Sequence, residues 1–221
     1  MAATEPRYAL LVFDWDGTLI DSASTIVECI QAASQDMGLR VPDRERARHV
    51  IGLGLHDSLR HAVPDLPRER YLDFAALYRR HFLARESSML LFEGVPQLLA
   101  ELDRRGHTLA MATGKSRAGL DRALAASGLG VHFRASRCAD ETNPKPHPAM
   151  LLELMRELGA EPHRVLMVGD TSHDLEMARN AGVDAVAVSY GAHPEQTLRA
   201  LGPRACVSSV DDLARWLAQN G

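Results

Sequence analysis

The sequence predicts an α/β protein: a parallel sheet covered on both faces by helices, with a small helical domain inserted after the first strand. Three observations carry this reading. Short unbroken apolar runs alternate with amphipathic helical patterns. The runs end in polar residues just before a helix, as parallel strands do at the sheet edge where ligands bind. About 90 residues separate the first run from the second, far more than one crossover helix needs.

Taken in order, the first run is Tyr8–Phe13, short enough for a strand buried on both faces. It ends in Asp14-Trp15-Asp16-Gly17-Thr18. The next run, Thr108–Ala112, ends in Thr113-Gly114-Lys115; then Val165–Val168 ends in Gly169-Asp170-Thr171. Ala185–Val188 ends near Tyr190-Gly191, and a weaker strand signal covers Phe133–Cys138. Between them, Val95, Leu98, Leu99 and Leu102 share a helix face stopped by Gly106. Leu120 and Leu124 precede a turn at Gly128, and Met150, Leu151, Leu154, Met155 and Leu158 repeat before Gly159. Leu175, Met177 and Ala178 precede Gly182, and Leu213, Trp216 and Leu217 close the chain.

The long interval is helical throughout. Ile26, Val27, Ile30 and Ala33 form one apolar face, and Leu55, Leu59 and Val63 a second. Tyr71, Phe74, Leu77, Tyr78 and Phe82 form a third. Pro42, Pro64 and Pro67 punctuate the helices. The expected division is therefore a core of residues 1–20 and 87–221 with a helical cap of residues 21–86. The cap holds ten arginines and ten acids, so the negative excess of the chain lies in the core.

Composition narrows the function. The chain has 221 residues, 25 Lys+Arg against 29 Asp+Glu and a net charge of −4. That balance lacks the basic footprint of a nucleic-acid binder. No apolar stretch reaches the roughly 18–20 residues that span a bilayer, and Met1–Arg7 lacks the layout of a secretory signal. Cys29, Cys138 and Cys206 are far apart and odd in number, which reads as reduced thiols in a cytoplasmic protein. Only Lys115 and Lys145 are lysines; the other 23 cations are arginine.

Four strand-end elements carry the chemistry. Asp14 and Asp16, two apart on an extended segment, point the same way and repel unless a cation joins them. A hard cation such as Mg²⁺ suits these oxygens, although Asp-Gly alone reads equally as a polar turn. Asp170 and Asp174, four apart at a helix start, share a face, although capping alone would place an acid there. Thr113-Gly114-Lys115-Ser116 combines a hydroxyl, a small residue and helix N-terminal amides that can hold phosphate oxygens. Asn143-Pro144-Lys145-Pro146-His147-Pro148 is stiffened by three prolines, which would aim Lys145.

Together these elements resemble the haloacid dehalogenase superfamily. The matching residues are Asp14-Trp15-Asp16-Gly17-Thr18-Leu19, Thr113, Lys145, and Gly169-Asp170 with Asp174. Ile20-Asp21-Ser22, Lys145-Pro146-His147-Pro148 and Tyr190-Gly191 look like the phosphoglycolate phosphatase and beta-phosphoglucomutase-like branch. Trp15 departs from the pattern, where a smaller aliphatic residue commonly stands, and is expected to alter packing only.

The resemblance implies a Rossmann-like core, a Mg²⁺ cofactor and a small phosphorylated metabolite as substrate, in a monomer or homodimer. It implies that Asp14 attacks phosphorus and forms an aspartyl-phosphate. Mg²⁺ is then held by Asp14, Asp170 and the backbone carbonyl of Asp16, with Asp174 orienting the metal's waters or Lys145. Asp16 protonates the leaving alcohol and later takes a proton from water. Thr113 and the Gly114 amide hold phosphate oxygens, and Lys145 offsets the charge of Asp14 and phosphate. The second aspartate, Asp16, speaks for phosphate esters over carbon–halogen cleavage. A phosphomutase uses the same intermediate and stays open as an alternative. A phospho-accepting receiver module shares the residue types, but it has no large helical insertion. Gly52-Leu53-Gly54-Leu55 is a candidate for reading the leaving group, and His147 and His173 are expected to be flanking groups.

Overall fold

A computed structural model describes residues 6–221. Residues 1–5, part of both the Met1–Arg7 stretch and the expected core segment 1–20, lie outside the described residues. Six parallel strands form one sheet in the order β3-β2-β1-β4-β5-β6. They are β1 (Leu10–Phe13), β2 (Thr108–Thr113), β3 (Phe133–Cys138), β4 (Val165–Gly169), β5 (Asp184–Val188) and β6 (Ala205–Val207). β1 pairs with β2 on one side and β4 on the other, Phe13 lying opposite Met111 and Val168. Chain direction around the sheet reverses at this point, so the ends of β1, β2 and β4 border one crevice.

Alternation along the strands divides the core between two faces. Leu11, Phe13, Leu109 and Met111 pack under α5 (Val95–Arg104), α6 (Arg117–Ser127) and α10 (Val210–Asn220). Leu10, Val12, Ala110 and Ala112 pack under α7 (Ala149–Leu158), α8 (Ser172–Ala181) and α9 (Glu195–Ala200). Trp15 is buried in the first of these clusters, in keeping with a packing role. The strands expected from apolar runs are all present; β6, α9 and the short helix Arg44–His49 are additions.

Four helices follow β1 before α5 and the next strand: α1 (Ala23–Asp36), α2 (Arg44–His49), α3 (Leu55–Ala62) and α4 (Tyr71–Leu83). They share their own apolar cluster, including Ile26, Val27, Ile30, Leu59, Phe74 and Phe82. The chain leaves and re-enters the sheet region through one short paired crossing. Asp21 N donates to Leu90 O at 2.9 Å, and Phe92 N donates to Leu19 O at 3.1 Å. All three cysteines are free thiols, Cys29 and Cys138 buried and Cys206 half-buried. Among the described residues no helix is long and apolar enough to cross a membrane.

Candidate active site

Asp14 and Asp170 are each delivered by the end of a buried strand. Asp14 follows β1, and its amide bonds Val168 O at 3.0 Å, prolonging the β1–β4 ladder. Its Oδ1 accepts from the Trp15 amide at 2.7 Å and faces Lys145 Nζ at 2.9 Å. Its Oδ2 is buried with no hydrogen-bond partner. Asp170 follows β4. Its Oδ1 accepts from Thr18 Oγ1 at 2.8 Å and its Oδ2 from the Ala192 amide at 2.6 Å.

Asp174 serves two purposes at once. Thr171 caps α8 through a reciprocal box with Asp174. Asp174 Oδ2 accepts from the Thr171 amide and hydroxyl at 3.0 and 2.7 Å. Its Oδ1 faces Lys145 Nζ at 2.6 Å. The capping expected of this sequence is therefore real, and it aims the second oxygen inward.

Asp14, Asp170 and Asp174 place carboxylate oxygens within 4.8 Å of one another. Burial is the main influence on Asp14 and pushes its carboxyl up to about 7, with Asp174 and Asp16 adding and Lys145 opposing. Asp170 is pushed well above the carboxylate range, first by burial and then by Asp14 and Asp174. Burial works against the charge of Lys145, but Asp14 and Asp174 outweigh it and hold the ammonium above its ordinary range. One ammonium pairs with two of the three buried carboxyls, Asp14 and Asp174, and leaves Asp170 without a cationic partner among the described residues. The orphaned Asp14 Oδ2 and the all-oxygen donor set fit a hard divalent cation such as Mg²⁺.

Asp16 turns away from that trio. Its Oδ1 accepts from Ser22 Oγ at 2.8 Å and pairs with Lys115 Nζ at 3.1 Å. Its carboxylate is outside the metal-competent cluster, so any part in metal binding falls to its backbone. Lys115 also sits over the Phe82 ring of α4, 4.6 Å from the centroid. The sequence pointed to Lys115 only as a neighbour of the phosphate-holding loop; this pairing spans 99 positions of chain and has no local signature.

Thr113 is buried at the end of β2, and its Oγ1 accepts from the Lys115 amide at 3.2 Å. Gly114 lies against Gly52 of the helical segment so closely that a Cβ there would meet Gly52 O at 2.7 Å. Gly52 in turn lies near Thr171 and Asp14. The glycine stretch read as a candidate for substrate recognition thus lies over the carboxylates. His147 is exposed, its Nδ1 accepting from the Ala149 amide at 3.1 Å, a flanking role as expected.

Comparison with known proteins settles the family. Residues 11–188 match the family described as haloacid dehalogenase-like hydrolase. The chain belongs to the haloacid dehalogenase-like hydrolases. A relative named "Probable phosphatase IndB", from Dickeya dadantii, is 38% identical over 92% of this chain and 91% of its own. The tyrosine-protein kinase PtkA of Mycobacterium tuberculosis is 35% identical over 82% of this chain. The chain spans only 62% of that kinase's length. A solved haloacid dehalogenase-like hydrolase from Bacteroides fragilis is 25% identical, with a TM-score of 0.85 over 93% of this chain and 99% of that one. This member of the family is a hydrolase of the phosphatase type, with the Rossmann-like core that its motifs implied.

Proposed function

We propose that this hydrolase removes phosphate from a small phosphorylated metabolite, phosphoglycolate-like or a sugar phosphate, through an aspartyl-phosphate on Asp14. The observation that carries the reading is the arrangement at Asp14. One oxygen is oriented by the Trp15 amide and Lys145 and the other is buried with no partner, so the carboxylate can offer one oxygen to phosphorus and the other to a cation. Asp14, Asp170 and the backbone of Asp16 would hold Mg²⁺, with Asp174 behind them. When bound, the ion supplies charge neutralisation for the phosphate oxygens and for Asp14.

The chain's own residues do the rest. Lys145 balances the charge of Asp14 and is held in place by Asp174. Thr113 and the Gly114 amide take phosphate oxygens. Asp16 lies off the trio, where the leaving alcohol departs, and gives it a proton; it then receives one from the attacking water. Ser22 and Lys115 fix its carboxylate. Residues 21–86 act as a cap whose Gly52 turn closes the site against water. The free thiols support a cytoplasmic enzyme.

A phosphate-release screen over many phosphorylated metabolites, with and without Mg²⁺, tests this. Release is expected from a few small esters only with Mg²⁺, and Asp14→Asn is expected to lower it at least about a thousandfold, as loss of a covalent nucleophile does. Activity that survives Asp14→Asn sinks the mechanism. Isomerisation outpacing release would identify a mutase instead.

A further inference from the structure

Three histidines outside this chemistry converge where the helical segment meets the sheet. His49 ends α2, His173 lies in the first turn of α8, and His193 follows β5. Their ring nitrogens come within 4.8 Å of one another, and His173 and His193 are buried. The spacing resembles a metal site, but hydrogen-bond chemistry assigns two of the rings otherwise. Nε2 of His173 and Nε2 of His193 face the His49 carbonyl oxygen at 2.7 and 3.1 Å. A carbonyl only accepts, so each Nε2 carries a proton and donates. The Ser172 amide lies 3.0 Å from His193 Nδ1. An amide N–H only donates, so this Nδ1 is the acceptor. His193 is thereby a neutral ring in one tautomer with both nitrogens engaged. No lone pair of His193 is left for a cation.

The gripped carbonyl sits at a mechanically useful point. Arg48, next to it, donates through Nη2 to Gly191 O at 2.8 Å. Three residues beyond His49 is Gly52, whose backbone packs on Gly114. A Cβ on Gly52 would lie 3.4 Å from Thr171 Oγ1 and 4.0 Å from the unpartnered Asp14 Oδ2. The turn over the active site is therefore anchored by the same short stretch that the two imidazoles hold.

We propose that His173 and His193 are positioning residues that clamp the His49 carbonyl and so seat the Gly52 turn over Asp14 and Gly114. The clamp reads a backbone oxygen, so the identity of the side chain at position 49 is secondary to it. Only the kinetic arm of the test rests on the phosphatase reading.

Hydrogen exchange of the metal-free protein is compared among the wild type, His193→Leu, His193→Gln and His49→Ala. In His193→Leu the amides of residues 50–54 are expected to exchange about tenfold faster, the scale of one lost hydrogen bond. Beyond Ser172, whose amide loses its acceptor with the ring, the amides of α8 are expected to keep their protection, which a general loss of structure would not allow. On p-nitrophenyl phosphate with Mg²⁺, kcat/KM falls by a similar factor, carried by KM. His193→Gln, which restores a donor at comparable reach, recovers most of both effects, and His49→Ala stays within about twofold of wild type. If His193→Leu does not fold, His173→Leu opens the other arm and serves the same comparison. Unchanged exchange at residues 50–54 overturns the proposal. So does equal loosening of α8, or a His49→Ala defect as large as that of His193→Leu, which would mean that the ring itself is used. If the wild type releases nothing from this ester or from any metabolite of the screen, the phosphatase reading fails while the exchange arm still decides the clamp.

Discussion

At the residue scale the two lysines repay their scarcity among 25 cations. Lys145 is fully buried between Asp14 and Asp174, at 2.9 and 2.6 Å. A compact ammonium fits a gap that a planar guanidinium would have to widen. Lys145→Arg keeps the net charge but displaces the nucleophile; turnover is expected to fall about a hundredfold, the order that a 1 Å misplacement costs. Steady-state kinetics beside a thermal melt checks this, and full activity would show that position 145 needs only a positive charge. Lys115 has a different task. It joins Asp16 of the core to Phe82 of α4. Lys115→Met leaves Asp16 with Ser22 as its fixed partner, and kcat/KM is expected to drop about tenfold, within the range of one charged hydrogen bond. An unchanged kcat/KM would leave the pair with a structural role alone.

At the scale of elements, legibility followed burial. β1, β2, β4 and β5 are buried almost throughout and stood out as apolar blocks. β6 is three half-buried residues at the sheet edge, too short to show a period. α2 and α9 bury one residue each, Ala47 and Leu198, so neither shows an apolar face in the sequence. The carboxylates and Lys145 were legible because each lies on a turn tied to a strand or to prolines. The His49, His173 and His193 cluster was not, because its members are distant in sequence and two of them bond a backbone oxygen. The turn at Gly52 and the loop at Gly114 also met only in the fold. Gly114→Ala puts a methyl 2.7 Å from Gly52 O, a distance that forces the turn to lift. The expected result is a KM several-fold higher with a melting temperature close to wild type, since the contact lies outside the three apolar clusters. Unchanged KM would mean that the turn closes without touching the phosphate loop.

For the whole molecule, folding gathers three carboxyls of an acidic chain with one ammonium between two of them, and this makes stability depend on pH and on a cation. Asp14 moves from its ordinary 3.8 to about 7 on folding, and Asp170 moves in the same direction. Without a divalent ion, the folded state then holds more protons than the unfolded state between those values. The contribution of Asp14 is complete below its unfolded value and is lost as pH rises through about 7. A divalent ion needs the carboxylates ionised, so it competes with those protons. Mg²⁺ should therefore add little to the melting temperature near pH 5 and progressively more toward pH 8, where it replaces the lost protons as the partner of the trio. Asp170→Asn should remove most of the gain by taking away one donor and its charge. Melting curves across that pH range, with and without excess Mg²⁺, measure it directly. A gain equal at every pH, or undiminished in Asp170→Asn, would place the stabilising ion elsewhere on the protein and leave the buried carboxyls to be satisfied by protons alone.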